Sequence, residues 1–317
     1  MKRLLSLCLC LLLMTPTLAC RRESAVSAVD FLCDTVCTIT AYAPQSVVDD
    51  AMKLCRAYEQ RFSKTVEGSD VWNLNHAEGK PVTVDPETAA LLRLSKEIWE
   101  ASGGAFDVTI APVTALWDFT AESPTLPEPD ALAAALQRVN ADNLVVDGNT
   151  VTLLNGAQID LGGIAKGYIA DCAAAYLKNV GVQHACINMG GNIVVFGGKP
   201  DGSPWMIGVR DPNGTAADSE EVVSLTDGVL VTSGNYERFF ILDGVRYHHI
   251  LDPKTGMPVQ NGLASVTILA DDSALADALS TACFVLGGEA AQPLLKRYGV
   301  RAIFLYQDGA RSAYPNV

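Results

Sequence analysis

A chain of 317 residues that is 49% hydrophobic and only 19% charged carries enough apolar side chain for a packed core, which excludes wholesale disorder. Its formal net charge of −13, with no block of Lys and Arg, argues against nucleic acid as a partner, because an acidic surface repels a phosphate backbone. The length allows one large domain or two moderate ones.

Met1-Lys-Arg opens a basic leader, and the apolar run from Leu4 to Met14 is too short to span a bilayer as a stable helix, so it reads as an export signal. The run ends at Thr17-Leu-Ala-Cys20, which resembles the lipobox of bacterial lipoproteins, with Cys20 as the lipidated residue. Leu18 stands two residues before the Cys where the usual pattern has Leu three before, so cleavage after Ala19 without lipidation is the alternative. The expected divisions are a signal peptide (1–19), a lipid-anchored tether (20–29) and one domain (30–317). The expected location is the outer face of the cell membrane, through Cys20, or the periplasm. Cys33, Cys37, Cys55, Cys172, Cys186 and Cys283 remain after the leader. An exported chain permits disulfides, yet no CxxC pair is present and runs such as Ala-Cys-Ile and Ala-Cys-Phe favour buried thiols. A zinc site is not expected.

Asp30 to Tyr42 alternates β-branched and polar residues, which predicts a first strand closed by Pro44. The spacing of Val47, Val48, Ala51, Met52, Cys55 and Tyr58 predicts an amphipathic helix over 46–62 with Ser46 as N-cap. A turn and short helix follow over 63–75, and a helix over 86–102 with Pro near its first turn. Gly103-Gly-Ala-Phe-Asp107 turns tightly before a carboxylate set among apolar neighbours. Such a group is either a capping Asp or one that needs a partner to offset desolvation. A Pro-rich acidic loop over 120–130 precedes a helix over 130–139.

The most informative stretch is Asp160-Leu-Gly-Gly-Ile-Ala-Lys-Gly-Tyr-Ile-Ala-Asp171. It reads as the end of a strand that breaks at Gly162-Gly163 and continues as a helix through Ile164, Tyr168, Ala174 and Leu177. Paired glycines let backbone N–H groups approach a ligand, and the helix N-terminus favours an anion such as phosphate. Lys166 adds a full charge, and Asp160 a hard oxygen ligand or a ribose-type acceptor; a solvated Lys and a capping Asp are the other reading, since neither the P-loop nor G-x-G-x-x-G is present. Ala185 to Phe196 is a strand interrupted by Gly190-Gly191, marking either a close approach to a ligand or a tight hairpin. Trp205 to Pro212 reads as a strand and turn, and Gly228 to Leu242 as a strand leading into a pair turned at Asp243-Gly244. His248 and His249 are strand neighbours, so only one faces a given pocket. Over 270–287, with Ser273 as N-cap, Asp277 and Thr281 share a helix face with Ser280 adjoining. Oxygen ligands of that kind suit magnesium, and hydroxyls bonded back to the helix are the alternative.

Six segments in order, Gly-Ala-Phe-Asp107, Asp160-Leu-Gly-Gly-Ile-Ala-Lys-Gly-Tyr, Asn188-Met-Gly-Gly-Asn, Thr232-Ser-Gly-Asn-Tyr, His249-Ile-Leu-Asp-Pro-Lys-Thr-Gly and Asp277-Ala-Leu-Ser-Thr281, resemble the FAD:protein FMN transferase (ApbE) family over most of the chain after the leader. The resemblance implies an α+β fold with mixed and antiparallel sheets and packed helices, FAD as substrate, Mg2+ as cofactor, and an acceptor protein with a Thr or Ser to be flavinylated, AMP being released. It implies metal ligation by Asp277, Thr281, Ser280 and the Gly163 carbonyl, and FAD contacts from Ala105, Phe106, Asp107, Asp160, Lys166 and Ile250. His249 becomes the candidate for proton transfer and Lys166 for stabilising charge. The chain departs from the family at Thr65, where many members have Tyr, at Cys33, where many have Met, both near the flavin by analogy, and at Asn192, where an acidic residue is common. A pocket altered at Thr65 and Cys33 lets water compete with the protein hydroxyl, so FAD hydrolysis to FMN and AMP is the nearest alternative, and a flavin-binding lipoprotein without chemistry a further one.

Overall fold

The computed structural model describes residues 24–212, 214 and 218–315. The expected signal peptide and the lipidated Cys20 lie outside the described residues. The chain begins with the hairpin β1 (Val26–Leu32) and β2 (Thr35–Ala41), followed by α1 (Gln45–Phe62), α2 (Asp70–Asn75), β3 (Val82–Thr83), α3 (Pro86–Ala101), α4 (Ala111–Thr114) and α5 (Pro129–Leu136). Next come β4 (Leu144–Asp147), β5 (Thr150–Leu153), α6 (Ala165–Asn179), β6 (Ala185–Met189), β7 (Asn192–Phe196), β8 (Trp205–Arg210), β9 (Ser219–Leu225) and β10 (Gly228–Gly234). It closes with β11 (Phe239–Leu242), β12 (Val245–His248), β13 (Leu263–Ala270), α7 (Ser273–Leu286), α8 (Gln292–Tyr298), β14 (Arg301–Tyr306) and β15 (Arg311–Tyr314).

An eight-stranded sheet in the order β1-β2-β6-β7-β10-β13-β14-β15 organises this α+β fold, and all its neighbours pair antiparallel. Ile110 and Gln158 form an isolated parallel bridge outside it. One face of the sheet is covered by α1, α6 and α7, whose apolar stripes meet Cys37, Ile39, Ile187, Val194, Val231, Val266 and Phe304 in the main core. The other face buries Ile193, Val195, Leu230, Leu269, Ile303 and Leu305 against Trp205, Ile207 and Val209 of the β8–β9 hairpin. A third cluster joins Val113, Trp117, Ala135, Phe240 and Leu251, tying α4 and α5 to the β11–β12 hairpin. All six described cysteines are free thiols, and Cys37, Cys55 and Cys283 are fully buried.

Helices α6 and α7 meet more closely than side chains normally allow. A Cβ on Gly167 would stand 2.1 Å from the Ser273 carbonyl oxygen and 2.9 Å from the Ala274 Cα, so only glycine fits. Across this contact the helices exchange capping groups. Asp277 of α7 accepts the Gly167 N–H at 3.0 Å, and Asp171 of α6 accepts the N–H groups of Ser273 and Ala274 at 2.9 Å each. Each carboxylate therefore meets the positive end of the other helix.

Several expected boundaries differ from the observed ones. Strand β1 starts at Val26, inside the expected tether, and the single strand predicted over Asp30–Tyr42 is a hairpin. It turns at Cys33 and Asp34, with φ of 51° and 59°, the left-handed backbone of a primed two-residue turn. Neither residue is the usual Asn or Gly, so the turn carries no sequence signal; the Cys33 N–H donating to Glu59 at 2.7 Å helps hold it. Helix α1 is capped at Pro44 rather than Ser46, and α7 at Asp272, whose carboxylate accepts the Leu275 N–H at 2.7 Å, rather than at Ser273. Helix α5 ends at Leu136, three residues short of the predicted Val139. Residues 158–161 are not a strand: the Asn75 side-chain amide takes the place of a strand partner, bonding Ile159 N–H at 2.7 Å and C=O at 2.9 Å. The Gly190-Gly191 break is a hairpin between β6 and β7.

Gly167→Ala is expected to destabilise the protein by about 3 kcal/mol or more, because the added methyl meets backbone that cannot move aside without parting the two helices. The midpoint of a urea transition, at unchanged slope, measures it.

Candidate active site

A cavity of about 520 Å³ opens where the turn of β1–β2, the loop after α1, the Gly103–Ile110 turn, the start of α6, the end of β10, the exit of β12 and one face of α7 converge. Its volume suits a small molecule of nucleotide size. The residues singled out from the sequence come from six separate stretches, and all but one meet here. Cys33, Thr65, Ala105, Phe106 and Asp107 line one part of the wall, Asp160, Gly163 and Lys166 another, and His249, Ile250, Asp277 and Thr281 a third. Ser280 is the exception. It is fully buried outside the lining, donating to the Asp277 carbonyl at 2.8 Å and sharing a hydrogen bond of 2.7 Å with Ser233.

That chain of hydroxyls fixes the direction of its protons. Ser280 donates to the Asp277 carbonyl, so the Ser233 hydroxyl donates to Ser280, and the Thr281 hydroxyl, 3.4 Å from Ser233, can donate to it in turn. The Thr281 lone pairs are thereby left for the cavity. Thr281 Oγ1 lies 3.4 Å from where a Gly163 Cβ would stand, so the backbone at the paired glycines and the α7 hydroxyl are in contact range. Asp277 is almost wholly buried, with Lys166 Nζ 3.8 Å from its free oxygen. Carboxylate, hydroxyl and backbone carbonyl form an oxygen-only donor set, which fits a hard divalent cation such as Mg2+.

The positive groups are arranged differently from the sequence reading. Lys166 donates to the Gly162 carbonyl at 2.9 Å. The α6 N-terminus, expected to receive a phosphate, already holds a carboxylate, because the Gly167 N–H is taken by Asp277. Asp160 is not a free acceptor either. Its Oδ2 meets Lys64 Nζ at 2.6 Å and the Thr114 hydroxyl at 3.3 Å, and its Oδ1 accepts the Gly162 N–H at 2.9 Å. Burial opposes ionisation of Asp160, but Lys64 and these hydrogen bonds outweigh it and hold the carboxyl below its ordinary range. At Asp107 the balance reverses: burial raises its pKa despite the Thr109 N–H and hydroxyl at 2.8 and 2.6 Å.

His248 and His249 divide as strand neighbours must. His248 is buried and structural, with Nε2 2.8 Å from the Val259 carbonyl and Nδ1 accepting the Ile250 N–H at 3.3 Å. His249 faces the cavity with Nδ1 3.3 Å from the Arg238 carbonyl. A carbonyl only accepts, so the neutral ring carries its proton on Nδ1 and presents Nε2 as a base. Burial, then the charges of Arg238 and Lys166, push the His249 pKa down to about 3.

Sequence reasoning missed Lys64, Arg238 and Trp117, which also line the cavity. Lys64 adjoins Thr65 but only folding sets it against Asp160. Arg238 reaches the β1–β2 turn, 3.5 Å from Asp34, a residue 204 positions away. Trp117 is fixed by donating to the Gly256 carbonyl at 3.0 Å. No local pattern links any of these pairs.

Fold and site together define an α+β protein with a nucleotide-sized pocket walled by carboxylate, hydroxyl and backbone oxygens and by cationic side chains paired with carboxylates. The chain matches the ApbE family over residues 33–304 and belongs to that family. It is 37% identical over 311 residues to the FAD:protein FMN transferase of Treponema pallidum, covering 90% of this chain and 86% of the relative. To a protein of the same name from Klebsiella pneumoniae it is 34% identical over 269 residues, 83% of each. The crystal structure of the ApbE protein of Thermotoga maritima superposes with a TM-score of 0.85 at 35% identity, covering 91% of this chain and 96% of that one. The apo form of the Pseudomonas stutzeri flavinyl transferase ApbE gives 0.81 at 28% identity, with coverage of 92% and 94%.

An imidazole with its pKa lowered this far stays neutral while the unfolded chain takes up a proton below its ordinary value near 6.5. Its contribution to stability is full above pH 6.5 and is lost as pH falls towards 3. The His249 ring signals in an NMR titration are therefore expected to show no protonation near pH 6.5, and His249→Gln is expected to lose stability less steeply than wild type between those two values.

Proposed function

We propose that the protein is a Mg2+-dependent FAD:protein FMN transferase that moves FMN from FAD to a Thr or Ser hydroxyl of an acceptor protein and releases AMP. The observation that carries this reading is the convergence of Gly163, Lys166, His249, Asp277 and Thr281, from three separate parts of the chain, on one cavity. The shared name of the relatives, found at high coverage, supports it.

In this reading the acceptor hydroxyl attacks the phosphorus on the FMN side of the diphosphate, a P–O bond forms, the bridging P–O–P bond breaks, and AMP leaves. His249, neutral and with Nε2 free, takes the hydroxyl proton. Asp277, Thr281 and the Gly163 carbonyl would hold Mg2+, which supplies charge neutralisation at the phosphates when bound. Lys166 stands beside that ligand set and stabilises negative charge accumulating in transfer. Cys33, Thr65, Ala105, Phe106, Asp107, Asp160 and Ile250 supply the remaining wall for FAD. One observation favours hydrolysis as a competing outcome: Thr65 is small and exposed in the cavity lining, which leaves water a path into the cavity.

Incubation with FAD, Mg2+ and a protein or peptide displaying Thr separates the outcomes: covalent flavin on the acceptor is expected, and release of FMN and AMP without it means hydrolysis. Asp277→Asn keeps an oxygen for the Gly167 N–H but weakens the cation site, and is expected to lower turnover by about 100-fold or more. Full activity in that variant contradicts the metal assignment. His249→Ala is expected to cost on the order of 100- to 10,000-fold in transfer.

We further propose that the chain is exported and anchored to the membrane through a lipid on Cys20, which the Thr17-Leu-Ala-Cys20 pattern supports. No helix among the described residues is long and apolar enough to cross a membrane. Cys20→Ala is expected to move the protein from the membrane to the soluble fraction and to abolish incorporation of labelled palmitate; retention in the membrane would refute the anchor.

A further inference from the structure

One polar group in the cavity wall has no role in the scheme above. Asn192, the first residue of β7, is 1% exposed, lines the cavity, and has an Nδ2 with no hydrogen-bond partner. Strand alternation puts it on the same face as Val194 and Phe196, which belong to the core beneath α6 and α7. That is the side of the sheet on which Lys166, Asp277 and Thr281 meet.

The neighbouring polar groups are already committed to one another. The Asn188 amide oxygen accepts the Gly191 N–H at 2.9 Å, the Gly191 carbonyl accepts the Thr232 N–H at 3.2 Å, and the Thr232 hydroxyl pairs with that of Thr267 at 2.8 Å. None of these bonds reaches Asn192. A buried amide N–H without an acceptor forfeits its bonds to water and gains nothing, so an apolar side chain of similar size would serve packing better. The acceptor it lacks must come from the cavity. Rotation about the last torsion of an amide is soft, and Nδ2 can turn to an oxygen there without displacing the strand. Lys64, Lys166 and Arg238 line the same space, each already beside a carboxylate, so which oxygen Asn192 meets follows from the dinucleotide reading, in which the diphosphate lies by the α7 ligands.

We propose that Asn192 is a substrate-binding residue whose amide N–H donates to a phosphate oxygen of the dinucleotide's diphosphate. The proposal rests on the dinucleotide reading given above and assigns this side chain the task of orienting the diphosphate against the α7 ligand face.

Calorimetric titration in magnesium chloride with ADP, which carries the diphosphate, and with adenosine, which lacks it, tests the assignment. Asn192→Ala is expected to weaken ADP binding by roughly 10- to 100-fold, the worth of a hydrogen bond to a charged group. The thermal midpoint and adenosine binding are expected to stay unchanged. Asn192→Leu, of similar size but without a donor, is expected to weaken ADP to the same extent. ADP binding at the wild-type level in both variants overturns the proposal, as does an equal loss of ADP and adenosine binding with a lowered thermal midpoint, which would mark a packing role. Wild-type protein that binds neither FAD nor ADP would instead overturn the dinucleotide reading itself.

Discussion

Two carboxylates crossing the contact between α6 and α7 hold the site together. Asp277 accepts an N–H from the start of α6 and Asp171 accepts two from the start of α7, while Gly167 removes the side chain that would keep the helices apart. A buried carboxylate is costly without partners. Here each accepts from the positive end of a helix, although at Asp171 burial outweighs the two N–H bonds and pushes the pKa up to about 7, and the arrangement works only when both helices are in place. The same pairing leaves one oxygen of Asp277 turned towards Lys166, so the constraint that joins the helices also builds the charged corner of the cavity.

The rest of the cavity is assembled around that corner by hydrogen bonds between distant segments. Ser233 and Ser280 link the end of β10 to α7 and turn the Thr281 lone pairs into the open space. Lys64 restrains Asp160, which in turn holds the Gly162 N–H and shapes the paired-glycine turn. Arg238 serves twice: its carbonyl sets the His249 tautomer, and its charge helps keep that ring neutral. An imidazole with Nε2 unbonded thus faces the cavity beside cationic groups that hold its basicity down.

The elements with strong periodicity were legible along the chain. Helix α3 with its early proline, the amphipathic α1 and the strands of the β10 region follow from apolar spacing alone. The failures share a cause. The turn at Cys33-Asp34 lacks turn residues because Glu59, 26 residues on, holds it from outside. Residues 158–161 have a strand-like composition but make only an isolated bridge to Ile110 and pair on their other side with the side chain of Asn75. Ser280 shares a short motif with Asp277 and Thr281, yet the helical rotation that aims those two at the cavity turns Ser280 towards Ser233.

By itself the sequence determined the chemistry available: paired glycines before a helix, a carboxylate and a hydroxyl one helical turn apart, a histidine at a strand end, and the order of motifs that marks the family. Those are local properties, set by residue type and by the periods of helix and strand. Which groups are free to act was decided only by the tertiary structure. It gave the α6 N-terminus to Asp277, tied Asp160 to Lys64, withdrew Ser280, and left the Asn192 amide unpaired in the wall. The physical reason is that a donor or acceptor is available or spent according to what packs against it, and those neighbours lie dozens to hundreds of residues away along the chain.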